Sequence, residues 1–196
     1  METKFYNGPT ALPSLDNREP LLTHEYKVLI GSTSKLRNKL LIRFLASTGL
    51  RIREVLRLKV EHLGMDTTQL PASPFVWIIR SKKKTVKPEM QHLNLDLWND
   101  LDMYLKLERK THNDYIFDVK YTTFLMAIER LSEQVLGRKI TPHDLRRYHL
   151  RLLREVGLSI TDASKLLGHT SEHTTYQYYA TLSRKEKVEA VNRIEV

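Results

Sequence analysis

The 196-residue chain contains no cysteine. No disulfide can brace the fold and no thiolate can hold a metal, and a reducing compartment is compatible with the sequence. Long apolar runs are also missing. The most apolar stretch, Leu40 to Leu50, is interrupted by Arg43 and falls well short of the roughly 20 residues that span a bilayer. The N-terminus shows no basic region followed by an apolar run, so no secretory signal is visible. There is no internal repeat and no low-complexity segment, which argues against a solenoid or a compositionally disordered chain. Acidic residues are in deficit: 23 Asp and Glu stand against 32 Lys and Arg, a formal net charge of +9. A surface of that sign attracts polyanions, and nucleic acid is the commonest of these. What is present is an ordinary apolar fraction of 41% and a length that suits one compact domain with tails.

Residues 1–22 carry Gly8, Pro9, Pro13, Asn17 and Pro20 and read as an extended arm or linker. Thr23 is a candidate cap for a short helix over His24 to Ile30. Leu36, Leu40, Leu41, Phe44 and Leu45 form a helical stripe within Ser34 to Ser47, and Gly49 follows as a stop. A further helix is predicted over Arg51 to Leu58, with Ile52, Val55 and Leu56 inward. Pro71, Pro74 and Pro88 then break the helical pattern. Phe75 to Ile79 is a strand-like run and a second strand is expected around Gln91 to Leu93, which makes Lys82 to Lys87 the turn of a β-hairpin. Helices resume at Leu95 to Arg109 and Thr122 to Leu136, the latter stopped by Gly137. Thr141, Pro142 and Asp144 are a cap, a first-turn proline and an N3 carboxylate. They open a helix with Leu145, Tyr148, Leu152 and Val156 inward and Gly157 at its end. Ser159 and Asp162 pair in the manner of a capping box before Ile160, Ala163, Leu166 and Leu167, with Gly168 in the C′ position. A last helix is expected over Ser171 to Leu182. The charged tail beyond it carries a thin apolar stripe of Val188, Val191 and Ile194.

Certain polar residues stand out against this frame. Arg51 opens a helix directly after a glycine turn and should emerge at the edge of the core, where Glu54, three residues on, can fix its rotamer. His143 and Arg146 lie three apart on one helix and so point to one side, away from the Leu145–Tyr148–Leu152 stripe. A guanidinium there can hold two phosphate oxygens with its fixed fork. His169 follows a helix C-terminus, where an imidazole can also simply cap free carbonyls. Nine residues later comes Tyr178, in a cluster with Tyr176 and Tyr179. Taken singly, these are the marks of a solvated basic helix face, a capping histidine and edge aromatics. As an ordered set they supply a phosphate clamp, proton-transfer groups and an oxygen nucleophile.

In that order and spacing the set closely resembles the tyrosine recombinase (phage integrase) family, over roughly Leu36 to Leu182. "TGLRIREVLRLKVEHL" is similar to the family's first arginine box, "HDLRRYH" to its H-x-x-R box, and "LLGHTSEHTTYQYY" to its terminal histidine and tyrosine box. The resemblance implies a mainly α-helical (α+β) catalytic-domain fold with a small antiparallel sheet carrying a lysine hairpin. It divides the chain into an arm, 1–22, a catalytic domain, 23–182, and a tail, 183–196. It implies that Arg51 and Arg146 grip the scissile phosphate and stabilise its transition state, and that Tyr178 attacks phosphorus to give a 3′-phosphotyrosine. A hairpin lysine, Lys84, would protonate the leaving 5′-oxygen. His143 would assist proton transfer at the tyrosine, and His169 would donate a hydrogen bond to the phosphate. Because the ester conserves bond energy, neither ATP nor metal is implied. The implied partners are double-stranded DNA and other copies of the chain, a tetramer on two sites, in the cytoplasm of a cell or of the host of a virus or plasmid.

Two positions keep alternatives. Lys82, Lys83 and Lys84 are adjacent, and the hairpin lacks the glycine the family often has; Lys84-Thr85 fits best by distance to Leu93. Tyr178 and Tyr179 are also adjacent. Distance from His169 favours Tyr178, whereas Tyr179-Ala180 resembles a common continuation of the motif. Other functions compete as well. A DNA-binding regulator or a type IB topoisomerase could use the same fold. His169 to His173 also matches the H-x-x-E-H zinc-protease pattern, which needs both histidines on one continuous helix and a distant third ligand; Gly168 argues against the former and the short tail against the latter. Most family members carry a helical core-binding domain before the catalytic one, and residues 1–22 cannot supply it. DNA binding by this domain alone is expected to be weak and strongly salt-dependent.

Overall fold

The computed structural model of the protein describes residues 19–68, 72–79 and 88–167. It contains seven α-helices and three strands among these residues. They are α1 (Thr23–Gly31), α2 (Leu36–Thr48), α3 (Ile52–Val55), β1 (Leu63–Asp66), β2 (Ser73–Ile79), β3 (Pro88–His92), α4 (Leu95–Leu107), α5 (Tyr121–Leu136), α6 (Pro142–Glu155) and α7 (Ile160–Leu166), with a 3-10 turn at Val60–His62 before β1. This is the mainly helical fold with a small antiparallel sheet that the sequence implies. No described helix is long and apolar enough to cross a membrane.

Helix α2 is the centre of the molecule. Leu40, Leu41, Ile42, Phe44, Leu45, Ala46 and Thr48 are all buried along it, because α6 covers one flank and α4 another. Arg43 leaves this apolar surround to form an ion pair with Asp100 of α4. Phe44 meets Phe117 edge-on at 5.8 Å, and Phe117 stacks on Tyr104 of α4. Helix α1 packs against α5, and its Tyr26 stacks on Tyr148 of α6 at 4.8 Å. Glu25 of α1 is held by Arg138, whose guanidinium also bonds the carbonyls of Glu19 and Pro20. Leu150, Ala163 and Leu167 form a smaller cluster where α7 lies on α6.

The sheet runs β1-β2-β3, all antiparallel. Val76 and Ile78 face the core, while Trp77 and Ile79 stand on the outer face opposite Met90 and Pro88. Residues 80–87, with Lys82, Lys83 and Lys84, connect two antiparallel neighbours; they lie outside the described residues, as do the arm 1–18, Gly168 and everything after it.

Several boundaries differ from expectation. Helix α1 is preceded by Leu22 rather than capped by Thr23, and the Glu25 carboxylate takes the Leu22 amide at 2.8 Å. Helix α2 begins at Leu36, two residues later than read. Helix α3 ends at Val55, not Leu58, because the chain turns to pair elsewhere: Ile116 N–H donates to Leu58 O, and Val60 N–H to Asp114 O. Strand β1 was absent from the sequence reading, since Gly64 within it looks like a break. In the fold the glycine makes room for the Phe75 ring across the pair, which would have to shift to admit a Cβ.

Candidate functional site

The site begins at the end of α2. Gly49 caps the helix in the left-handed region at φ +62°, and its N–H closes on Leu45 O at 2.9 Å. This is the backbone a glycine stop predicts. Thr48 Oγ1 donates to Phe44 O and accepts from Leu50 N–H. The chain therefore reverses within two residues and presents Arg51 as the residue before α3. Arg51 is held twice by Glu54, as the sequence anticipated. The Glu54 carboxylate accepts from the Arg51 backbone N–H at 2.9 Å and pairs with its guanidinium at 3.2 Å. Glu54 is buried and the Arg51 side chain is 29% exposed, so a fixed carboxylate steers a cation that still reaches solvent.

Helix α6 brings the second arginine to the same turn. Thr141 accepts from Asp144 N–H, and the Asp144 carboxylate takes both the Thr141 amide and hydroxyl, so the predicted cap forms. The side of α6 that carries Arg146 is not a solvated face: the first half of the helix is buried almost all round, and Arg146 is only 4% exposed. Its guanidinium donates to Gly49 O and, at 3.3 Å, to Leu167 O. A wheel drawn from α6 alone misses this, because α7 and the Gly49 turn close over the polar side. His143, at the outer start of the helix, is exposed.

Two arginines thus converge on one turn, since the carbonyl that Arg146 holds lies two residues before Arg51. The third contributor is the chain leaving α7. Leu167, tied to Arg146, precedes His169 by two residues. His169 and Tyr178, the alternative Tyr179, the helix expected from Ser171, the H-x-x-E-H match and the Val188–Val191–Ile194 stripe lie outside the described residues, as does Lys84. The strand ends that flank the lysine segment do face the arginine side. A cleft of about 670 Å³ is lined by Glu54, Leu58, His62, Trp77, Ile79 and Pro88. It joins the carboxylate that holds Arg51 to the last residue of β2 and the first of β3.

One buried polar residue had no role in the sequence reading. His149, one turn beyond Arg146, is 6% exposed and places Nδ1 3.0 Å from Ala46 O. Burial pushes its pKa down to about 4, with the Arg146 charge adding to the shift and the Ala46 bond opposing it. The imidazole is therefore neutral near pH 7. The available signal was position: His149 follows Leu145 by four residues and so shares its inward face.

The comparisons show the family and the fold. A sequence model of the phage integrase family matches residues 17–186. Tyrosine recombinase XerA of Pyrococcus horikoshii is 28% identical over 96% of this chain and 64% of its own length. The chain thus spans somewhat under two thirds of that relative. Among solved structures, a XerA recombinase superposes with a TM-score of 0.76 at 24% identity, over 96% of this chain and 68% of the other. A XerH recombinase, bound to its palindromic difH substrate after cleavage, gives 0.71 at 22% identity, over 89% and 52%. With its arginine boxes meeting at one turn inside the fold of a tyrosine recombinase catalytic domain, the chain belongs to the phage integrase family.

Proposed function

We propose that this chain is the catalytic part of a site-specific DNA recombinase that cuts and rejoins strands through a 3′-phosphotyrosine, without metal or ATP. The observation that carries the reading is the meeting of Arg51 and Arg146 at the Gly49 turn, each held by a named oxygen. Two fixed cations at one point suit a phosphate whose charge grows in the transition state, and preorganised charge is the largest contribution in such sites. Arg146 would keep Gly49 O and exchange the longer bond to Leu167 O for a phosphate oxygen.

In this scheme the Tyr178 oxygen attacks phosphorus, the P–O5′ bond breaks, and the leaving oxygen takes a proton from Lys84. His143 assists removal of the tyrosine proton, and His169 donates to a non-bridging oxygen. The 5′-hydroxyl of a partner strand then attacks the phosphotyrosine and releases Tyr178. One P–O ester bond is exchanged for another at each step, so no external energy source is required. Duplex DNA is the substrate, in keeping with the net charge of +9 and with the DNA-bound XerH relative. Residues 23–182 form the catalytic domain after an arm, 1–22. The tail 183–196 docks on a neighbouring copy within a tetramer on two sites, in the cytoplasm.

The test uses a pool of nicked duplexes of random sequence that traps the covalent product, run on denaturing gels with EDTA present. A metal-independent protein–DNA adduct, lost in Tyr178→Phe and kept in Tyr179→Phe, is expected. Loss only in Tyr179→Phe would retain the chemistry and move the nucleophile by one residue. No adduct despite measurable DNA binding would overturn the enzymatic reading in favour of a DNA-binding regulator. Relaxation of supercoils without exchange of partners would point to a topoisomerase.

A further inference from the structure

We propose that His149 is a positioning residue for strand cleavage, which sets the Gly49 turn, and with it Arg51, through one hydrogen bond from Nδ1 to Ala46 O. The inference rests on the recombinase reading for its catalytic consequence, and on geometry alone for its structural one.

The end of α2 leaves carbonyls without helical partners, as every helix end does. Leu45 O is taken by Gly49 N–H. The Leu50 N–H, which would reach Ala46 O in a continued helix, bonds Thr48 Oγ1 instead. Ala46 O is left to the imidazole of His149 at 3.0 Å. A carbonyl can only accept, so Nδ1 carries the hydrogen and Nε2 holds a lone pair. Nε2 is buried with no hydrogen-bond partner. A buried acceptor left unpaired costs stability, and a phenylalanine would fill similar space without that cost. The Nδ1 donor is what distinguishes histidine here.

The same ring lies against the turn itself. A Cβ on Gly49 would come within 2.5 Å of His149 Cδ2. Arg146, one turn earlier on α6, bonds the Gly49 carbonyl. Helix α6 therefore fixes the turn at two points, with Arg146 on the carbonyl of Gly49 and His149 on the last turn of α2. Arg51 follows two residues later on a rigid path, already steered by Glu54. Removing the donor frees the end of α2 while leaving both arginines in the chain. That displaces one phosphate contact relative to the other.

The experiment compares three variants of the full chain. His149→Phe fills the space without a donor. His149→Asn keeps an amide N–H close to the Nδ1 position, and His149→Gln carries its amide one carbon further out. Each is measured for the single-turnover rate constant of adduct formation on nicked DNA, for DNA affinity, and for hydrogen exchange at the Leu50 and Arg51 amides without DNA. A rate constant refers to folded molecules only, so a variant that is merely less stable loses amplitude and keeps the rate. His149→Phe and His149→Gln are expected to slow cleavage by about tenfold or more with affinity within about twofold, and His149→Asn to recover most of the rate. Exchange at Leu50 and Arg51 should quicken in the first two and return toward wild type in the third. An unchanged rate in His149→Phe, or equal losses in Phe and Asn, would overturn the proposal; should His149→Phe fail to fold, the contrast between Gln and Asn decides in the same way. If the wild type forms no adduct, the recombinase reading fails on its own. Exchange then judges the positioning role, and unchanged protection in the donor-less variants refutes it.

Discussion

The arginine junction and the three-stranded sheet flank the same cleft, yet they are built on opposite plans. At the junction the polar groups lie in or at the edge of the core and, His149 Nε2 apart, the side chains that meet there are answered. Glu54 answers Arg51, Gly49 O and Leu167 O answer Arg146, and Ala46 O answers His149 Nδ1. On the sheet, Trp77, Ile79 and Met90 stand half out of the core on short strands. Arg51 and Arg146 repel each other, and a dense hydrogen-bonded setting is what holds two such cations in fixed register. Strands β2 and β3, which bound residues 80–87, are held by backbone pairing over a few residues and need no such setting.

The sharpest way to break this contrast is Gly49→Ala. The residue would be strained at φ +62°, and its Cβ would meet both the His149 ring and Leu167 Cδ2 at 2.5 Å. Strain and overpacking together should cost about 3 kcal/mol or more, read as a lowered denaturant midpoint at constant m-value. A loss under about 1 kcal/mol would mean the junction is softer than described.

Acid provides a second probe without mutation. His149 titrates near 4 in the fold against an ordinary 6.5. Between these values the unfolded chain binds a proton that the folded chain refuses. The stability from the neutral imidazole is thus complete above pH 6.5 and is lost progressively as pH falls to 4, by roughly 3 kcal/mol. His149→Phe should flatten that part of the stability–pH curve, measured by urea unfolding across the window; an unchanged slope would show that other groups carry it.

The smallest effect is expected on the sheet. Trp77 is 41% exposed and meets Phe75 edge-on at 5.6 Å. Trp77→Ala should cost about 1 kcal/mol and leave hydrogen exchange at the Gly49 turn unchanged. Faster exchange there would mean that the two regions are one cooperative unit after all.

Much of this molecule was legible in its sequence because the signals are local. Thr141-Pro142 with Asp144, Ser159 with Asp162, and Gly49, Gly137 and Gly157 mark helix ends by hydrogen bonds and backbone angles that reach at most a few residues. The Arg51–Glu54 pair was readable for the same reason. Short elements were not. Strand β1 hides behind Gly64, and α3 stops early because Leu58 pairs with Ile116. The burial of Arg146 and its partner were not legible, and the cause is distance: the carbonyl it holds is 97 residues away. Sequence alone determined which residues could form a phosphate clamp, because residue type and helical spacing are properties of the chain. Tertiary structure alone decided that Arg146 turns inward, that His149 stands neutral behind it, and that both close on the turn before Arg51. Those choices depend on which surfaces exclude water together, and no local pattern records that.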